Sequence, residues 1–161
     1  MKVALVGTGY WGSIVRKYIS SSDFFELVGI YNSKNIGDLF LNHSVEAVFV
    51  CTPADTHFEI CKKSLENGKH VFCEKIIVKK MSEFDKLVGL SQRNDKELYT
   101  DYTYIYSPSI RFIQKNLKKK IGDINYIISE ISQFGRFYKN ENAYEIVGVH
   151  ILAVLWFMYG T

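Results

Sequence analysis

The sequence lacks the features that mark several large classes of protein. An excess of one charge is missing: 20 Lys and Arg stand against 17 Asp and Glu in 161 residues, a formal net charge of +3. That balance argues against a chain built to hold nucleic acid. The one dense basic run, Lys118-Lys119-Lys120, reads as a solvated turn between a helix and a strand. Cysteine is scarce, with only Cys51, Cys61 and Cys73, and no C-x-x-C pair occurs. Three thiols cannot all pair within one chain, and each sits in an apolar pattern. The expectation is buried free thiols in a reducing cytoplasm. No cluster of His, Cys and carboxylates has the spacing of a metal site. Long apolar runs are lacking too. The longest, residues 147–159, falls short of the roughly 20 residues that a membrane span needs. The strand-like N-terminus has no charged segment with a cleavage site, so no signal peptide is expected. Internal repeats and low-complexity segments are absent. Apolar residues are plentiful instead, at 47% hydrophobic with 15% aromatic, enough for a packed core. The length suits one ordinary domain, or one domain and a piece of another.

The stretch from Val3 to Gly12, V-A-L-V-G-T-G-Y-W-G, organises the chain. Val3 to Val6 is a short apolar run without alternation, as in a strand buried on both faces. Gly7, Gly9 and Gly12 give G-x-G-x-x-G around Tyr10 and Trp11, and beyond them Trp11, Ile14, Val15, Tyr18 and Ile19 fall at helical spacing. Strand, glycine turn and helix in that order form a dinucleotide fingerprint. The first glycine permits the tight turn, the second lets backbone approach a pyrophosphate, and the third lets helix and strand pack closely. The helix N-terminus then offers free N–H groups and partial positive charge. The competing reading is a glycine turn in an α/β protein that has lost its ligand.

Further strands are expected at 27–31, 45–51, 70–73 and 97–104. A helix follows Thr52-Pro53-Ala54-Asp55 and ends at Gly68. Another begins near Ser82, which with Asp85 resembles a capping box stapled by Met81. Pro108 opens a third. Residues 32–42 leave room for little helix. Strands alternating with helices imply right-handed crossovers and a parallel sheet. After Gly122 the pattern changes: a longer strand at 124–133, a polar loop, then an apolar helix at 148–159. The expected architecture is α/β: a Rossmann-type doubly wound sheet over 1–120, then an incomplete α+β substrate or oligomerisation domain over 121–161. Tyr99, Tyr102, Tyr104 and Tyr106 read as a half-buried aromatic strand face, or as a platform for a ring.

More specific residues follow. Thr52-Pro53 with His57, then the run from Glu66 through Gly68-Lys69-His70-Val71 to Glu74-Lys75, resemble the glucose–fructose oxidoreductase / inositol dehydrogenase family. The resemblance runs from Val3 to the C-terminus and covers about the first half of a usual member. It implies NADP or NAD as cofactor and a hydroxyl-bearing carbon of a sugar, cyclitol or nucleotide sugar as substrate. It implies that Gly7, Gly9 and Gly12 hold the pyrophosphate, that Thr52, Pro53 and His57 lie beside the cofactor, and that Glu74 and Lys75 match the family's Glu-Lys-Pro. Lys75 would then stand between nicotinamide and substrate, and His150 would match a histidine that helps transfer the proton. A lysine desolvated beside a cofactor, or a histidine, has the tunable pKa that such a proton needs.

This chain also departs from the family. Ile76 replaces the proline after Lys75. Ile146 stands where an aspartate commonly precedes the histidine by four, Ala153 where another follows it, and Ile105 where a basic residue is common. At the end of the second strand, where an acid usually holds the ribose hydroxyls, the chain has Asn32, Ser33 and Lys34. A neutral residue beside a hydroxyl and a cation tolerates a 2′-phosphate, which leans toward NADP; a relaxed site is the other reading. Two functions therefore compete: a sugar or nucleotide-sugar oxidoreductase, and a catalytically silent dinucleotide-binding or subunit-pairing derivative. One piece of a split enzyme is a third. The strand at 124–133 and the all-round apolar helix lead to the expectation of a homodimer built on residues after 120.

Overall fold

The structure, a computed structural model, describes residues 1–120, 122–132 and 141–160. Its contacts divide the chain into two units, Met1–Asp101 and Tyr102–Thr161.

The first unit is a parallel sheet with helices on both faces. Its strands are β1 (Lys2–Val6), β2 (Glu26–Tyr31), β3 (Ala47–Val50), β4 (His70–Glu74) and β5 (Leu98–Asp101), in the order β2-β1-β3-β4-β5. Successive residues of β1 enter different cores, as the unbroken apolar run implies. Val3 and Leu5 pack with Ala47, Phe49 and Ile19, the last from α1 (Tyr10–Ser20). Ala4 and Val6 pack with Val48, Val50, Val71 and Cys73 on the other face. That face is covered by Leu39 of α2 (Ile36–Leu41), Cys61 and Leu65 of α3 (His57–Glu66), and Leu87 of α4 (Met81–Arg93). The chain runs outward from β1 to β2, then returns past β1 to β3. That reversal opens a crevice at the carboxyl ends of β1 and β3, where ligands bind in such sheets.

At the opposite edge, Lys69 is 2% exposed and its Nζ donates to the carbonyl oxygens of Asn42, at 2.7 Å, and Val45, at 3.2 Å. Burial lowers its pKa from the ordinary lysine value. The three cysteines are free and buried.

Two expectations for this unit need correction. α4 is capped by Lys80 in extended backbone, with no side-chain cap. Ser82 therefore lies inside the helix, no capping box with Asp85 forms, and Met81 is exposed rather than a staple. β5 ends at Asp101, whose register partner Glu74 is the last residue of β4. Beyond that pair the strand has no neighbour, and Thr103–Tyr106 coils into a 3₁₀ turn. Tyr104 and Tyr106 thus share no strand face with Tyr99.

The second unit contains α5 (Pro108–Lys120), a π turn over Tyr144–Gly148 and α6 (Val149–Tyr159). The basic run lies at the end of α5 instead of forming a turn. The strand expected at 124–133 is not formed over residues 124–132, and Gln133 lies outside the described residues. A strand gains its stability from neighbours, and over these residues Ile128 is left 85% exposed. Among the described residues no helix is long and apolar enough to cross a membrane.

Candidate functional site

The three glycines of the first turn meet different surroundings. Gly7 has φ 95°, and its N–H donates to the Tyr31 carbonyl oxygen at 3.0 Å. A Cβ there would sit 2.6 Å from the carbonyl oxygen of Cys51, which follows β3. At Gly12 a Cβ would run into the carbonyl oxygen of Gly7, so helix and turn touch through this residue. Gly9 is different: a Cβ would meet no atom within 4 Å, and φ is an ordinary −65°. Gly9 is also the N-cap of α1, which has no side-chain cap and no acid in its first turn. The opening N–H groups of that helix therefore carry their partial positive charge toward open space. Tyr10 and Trp11 are exposed beside it, their rings edge to face at 5.5 Å.

Next to this turn, β2 runs into an exposed loop of Asn32, Ser33 and Lys34. The Lys34 N–H donates to Asn32 Oδ1 at 2.9 Å, and the Asn32 N–H donates to Asn35 Oδ1 at 2.7 Å. On the other side, Thr52 and Pro53 follow β3, with Thr56 Oγ1 2.7 Å from both Thr52 Oγ1 and the Pro53 carbonyl oxygen. His57 opens α3 and is 1% exposed. Its Nδ1 lies 2.8 Å from the carbonyl oxygen of Ile76, and its Nε2 lies 2.8 Å from that of Thr52. Both partners are acceptors; a neutral imidazole donates from one nitrogen, the imidazolium from both.

Glu74 and Lys75 stand at the end of β4, one strand further along the same edge. Burial, reinforced by the neighbouring Asp101 carboxylate, pushes Glu74 up to about 7, against the charge and backbone N–H of Lys75. Asp101 was not among the residues singled out from sequence; its signal is an acid closing a strand at the ligand edge. The Cys51 thiol is pushed up to about 12 by burial, with Glu74 and Asp101 adding to it. Cys73 is raised by burial and by a hydrogen bond with Cys61. Neither thiol is the thiolate a nucleophile requires. Among the described residues no group of three His, Cys, Asp or Glu could hold a metal.

The carboxyl edge of the first unit thus gathers Gly7, Gly9, Gly12, Asn32, Ser33, Lys34, Thr52, Pro53, Glu74 and Lys75. His150 belongs to the second unit, near the start of α6, with its ring edge-on to Tyr104 at 4.8 Å. Ile146 lies in the π turn, Ile105 in the 3₁₀ turn and Ala153 in α6.

Residues 33–102 match the oxidoreductase family with an NAD-binding Rossmann fold. It is 25% identical over 142 residues to an uncharacterized oxidoreductase of Streptococcus pneumoniae serotype 4, covering 78% of this chain and 39% of the relative. It is 29% identical over 86 residues to myo-inositol 2-dehydrogenase of Thermotoga maritima, covering 53% of this chain and 24% of that protein. In fold it is similar to an NAD-binding protein from Listeria innocua, with a TM-score of 0.83 at 22% identity over 98% of this chain and 54% of that one. The chain spans about half the length of these relatives, or less.

Proposed function

We propose that this chain binds NADP or NAD at the crevice between β1 and β3 and serves hydride exchange with a hydroxyl-bearing carbon of a sugar, cyclitol or nucleotide sugar. One observation carries the cofactor site. The protein itself accounts for Gly7 and Gly12, through a positive φ and close backbone packing. It does not account for Gly9, whose missing side chain leaves room beside uncapped helix N–H groups. A pyrophosphate there supplies the reason. The adenosine ribose would then lie over Asn32, Ser33 and Lys34, where Lys34 favours the 2′-phosphate of NADP. The other half of the dinucleotide would extend over Thr52 and Pro53 toward Glu74 and Lys75.

When bound, the nicotinamide supplies the hydride acceptor or donor. Lys75 holds or moves the hydroxyl proton, and His150 is its second carrier. Glu74 receives the Lys75 N–H and keeps the charge beside it adjustable near neutral pH. A reading of weak or silent chemistry is favoured by Ile105, Ile146 and Ala153, which replace polar positions. Losing general acid–base help costs roughly 10²–10⁴-fold in rate. As a soluble cytoplasmic protein the chain would form a homodimer through residues after 120, covering the apolar surface of α6.

Titrating NADPH and NADH against the full chain and its Gly9→Val variant tests the site. Wild type is expected to bind and Gly9→Val to lose binding with its melting temperature unchanged. Equal binding by both, or none by wild type at millimolar dinucleotide, rejects the site. Robust turnover of a nucleotide sugar that vanishes in Lys75→Ala would reject the silent reading.

A further inference from the structure

His57 does not open onto the crevice. It is 1% exposed, and each ring nitrogen lies 2.8 Å from a backbone carbonyl oxygen. The two carbonyls belong to different loops. Thr52 is in the loop after β3, beside the glycine turn. Ile76 is in the loop after β4, adjacent to Lys75. One rigid five-membered ring therefore spans two segments that are far apart in sequence and adjacent along the sheet edge.

We infer that His57 is a positioning residue that ties the β3 loop to the β4 loop and so fixes the backbone of Lys75 relative to the cofactor crevice. The inference rests on the proposed role of Lys75. His57 touches no reacting atom and acts through the Ile76 carbonyl. A second tie runs in parallel, from Lys79 Nζ to Asp55 Oδ1 at 2.9 Å, but it is solvent-exposed, and exposed ion pairs are weak. The ring is the stiffer link, because His57 is buried whereas both partners of the ion pair reach solvent. α3 carries the ring, and Cys61 and Leu65 anchor that helix in the core. The clamp is thus referenced to the body of the domain rather than to either loop.

The two contacts can be separated chemically. The amide nitrogen of Asn overlays imidazole Nδ1, and that of Gln overlays Nε2. His57→Asn keeps a nitrogen facing the Ile76 carbonyl and leaves none facing Thr52; His57→Gln does the reverse. Native-state cleavage of the full chain reads each loop. Trypsin reports on the β4 loop at Lys75 and Lys79, and a protease cutting at aspartate reports on the β3 loop at Asp55. Trypsin at Lys62 and Lys63, within α3, reports global opening. His57→Gln is expected to cleave about tenfold faster at Lys75 and Lys79 with Asp55 little changed, and His57→Asn to show the opposite pattern. If turnover is measurable, Gln should lower kcat and Asn should raise KM. Identical patterns in the two variants overturn the inference. So does unchanged cleavage at both loops, or faster cleavage at Lys62 and Lys63 in step with the loops, which would make His57 a support of the whole fold. Failure of the wild type to bind dinucleotide would reject the proposed function and leave the cleavage pattern to decide the clamp.

Discussion

The two units of this chain have similar appetites for burial and satisfy them differently. Residues 1–101 bury β3 and all of β1 beyond Lys2 between two layers of helix. Among the described residues after 101, none is fully buried, although α6 reads V-H-I-L-A-V-L-W-F-M-Y and is more apolar than any helix of the first unit. Hydrophobic sequence is therefore not sufficient for a core. A strand becomes buried when neighbours on both sides and both faces exist, as β1 has in β2, β3, α1 and α3. An apolar helix with only short partners stays half-exposed however greasy it is.

The sharpest way to break this comparison is to overfill each unit. Gly12→Val forces a side chain onto the Gly7 carbonyl and should cost the first unit about 3 kcal/mol or more in urea melts. A variant melting like wild type would mean that the turn can move. Truncation sharpens it further. Leu5→Ala in the buried strand should cost about 2–5 kcal/mol, whereas Leu152→Ala, 62% exposed in one chain, should stay within about 0.5 kcal/mol when melted at a concentration below that of the proposed dimer. Equal losses would show that α6 is as well packed as β1. The proposed dimer comes next. Sedimentation at micromolar concentration should give a dimer, and Leu155→Lys should shift it to monomer. A wild-type monomer, or a dimer indifferent to that lysine, would leave the α6 surface to another partner.

The smallest effect is a pH dependence confined to the first unit. Glu74 is raised from 4.5 to about 7, so folding favours its protonated form. Its contribution to stability is fully present below about 4.5 and is lost as pH rises through about 7. Glu74→Gln should therefore match wild type in acid and exceed it above pH 7 by about 1 kcal/mol, a figure discounted for partial exposure. Asp101→Asn should move the midpoint toward lower pH. A flat difference between Glu74→Gln and wild type across that window would remove the carboxylate pair from the account.

What the sequence made legible was whatever depends on side-chain type and local order. The unbroken V-A-L-V run marked β1, and the glycine spacing marked the turn and helix after it. The end of β5 was not legible, because it is set by where β4 stops, a non-local fact. The segment at 124–133 has strand-like residues, but strand formation over 124–132 needs a partner that composition cannot announce. Ser82 and Asp85 have the right spacing for a cap, yet the helix begins two residues too early for them. The His57 contacts were hidden for another reason: both partners are backbone carbonyls, which every residue possesses.

Lys69 has a consequence for experiment. It is the single buried lysine among the described residues, held against the carbonyls of Asn42 and Val45. An acylating reagent added to the folded protein will modify exposed amines at once and will reach Lys69 only when the corner between α2 and β3 comes apart. The ratio of those two rates is a clock for local opening, read by mass on the unmutated chain. Once acylated, the amine has lost its charge and gained bulk that the closed corner cannot readmit. Each opening event is then recorded permanently, and Lys69 serves as a memory of every time this edge of the sheet has breathed.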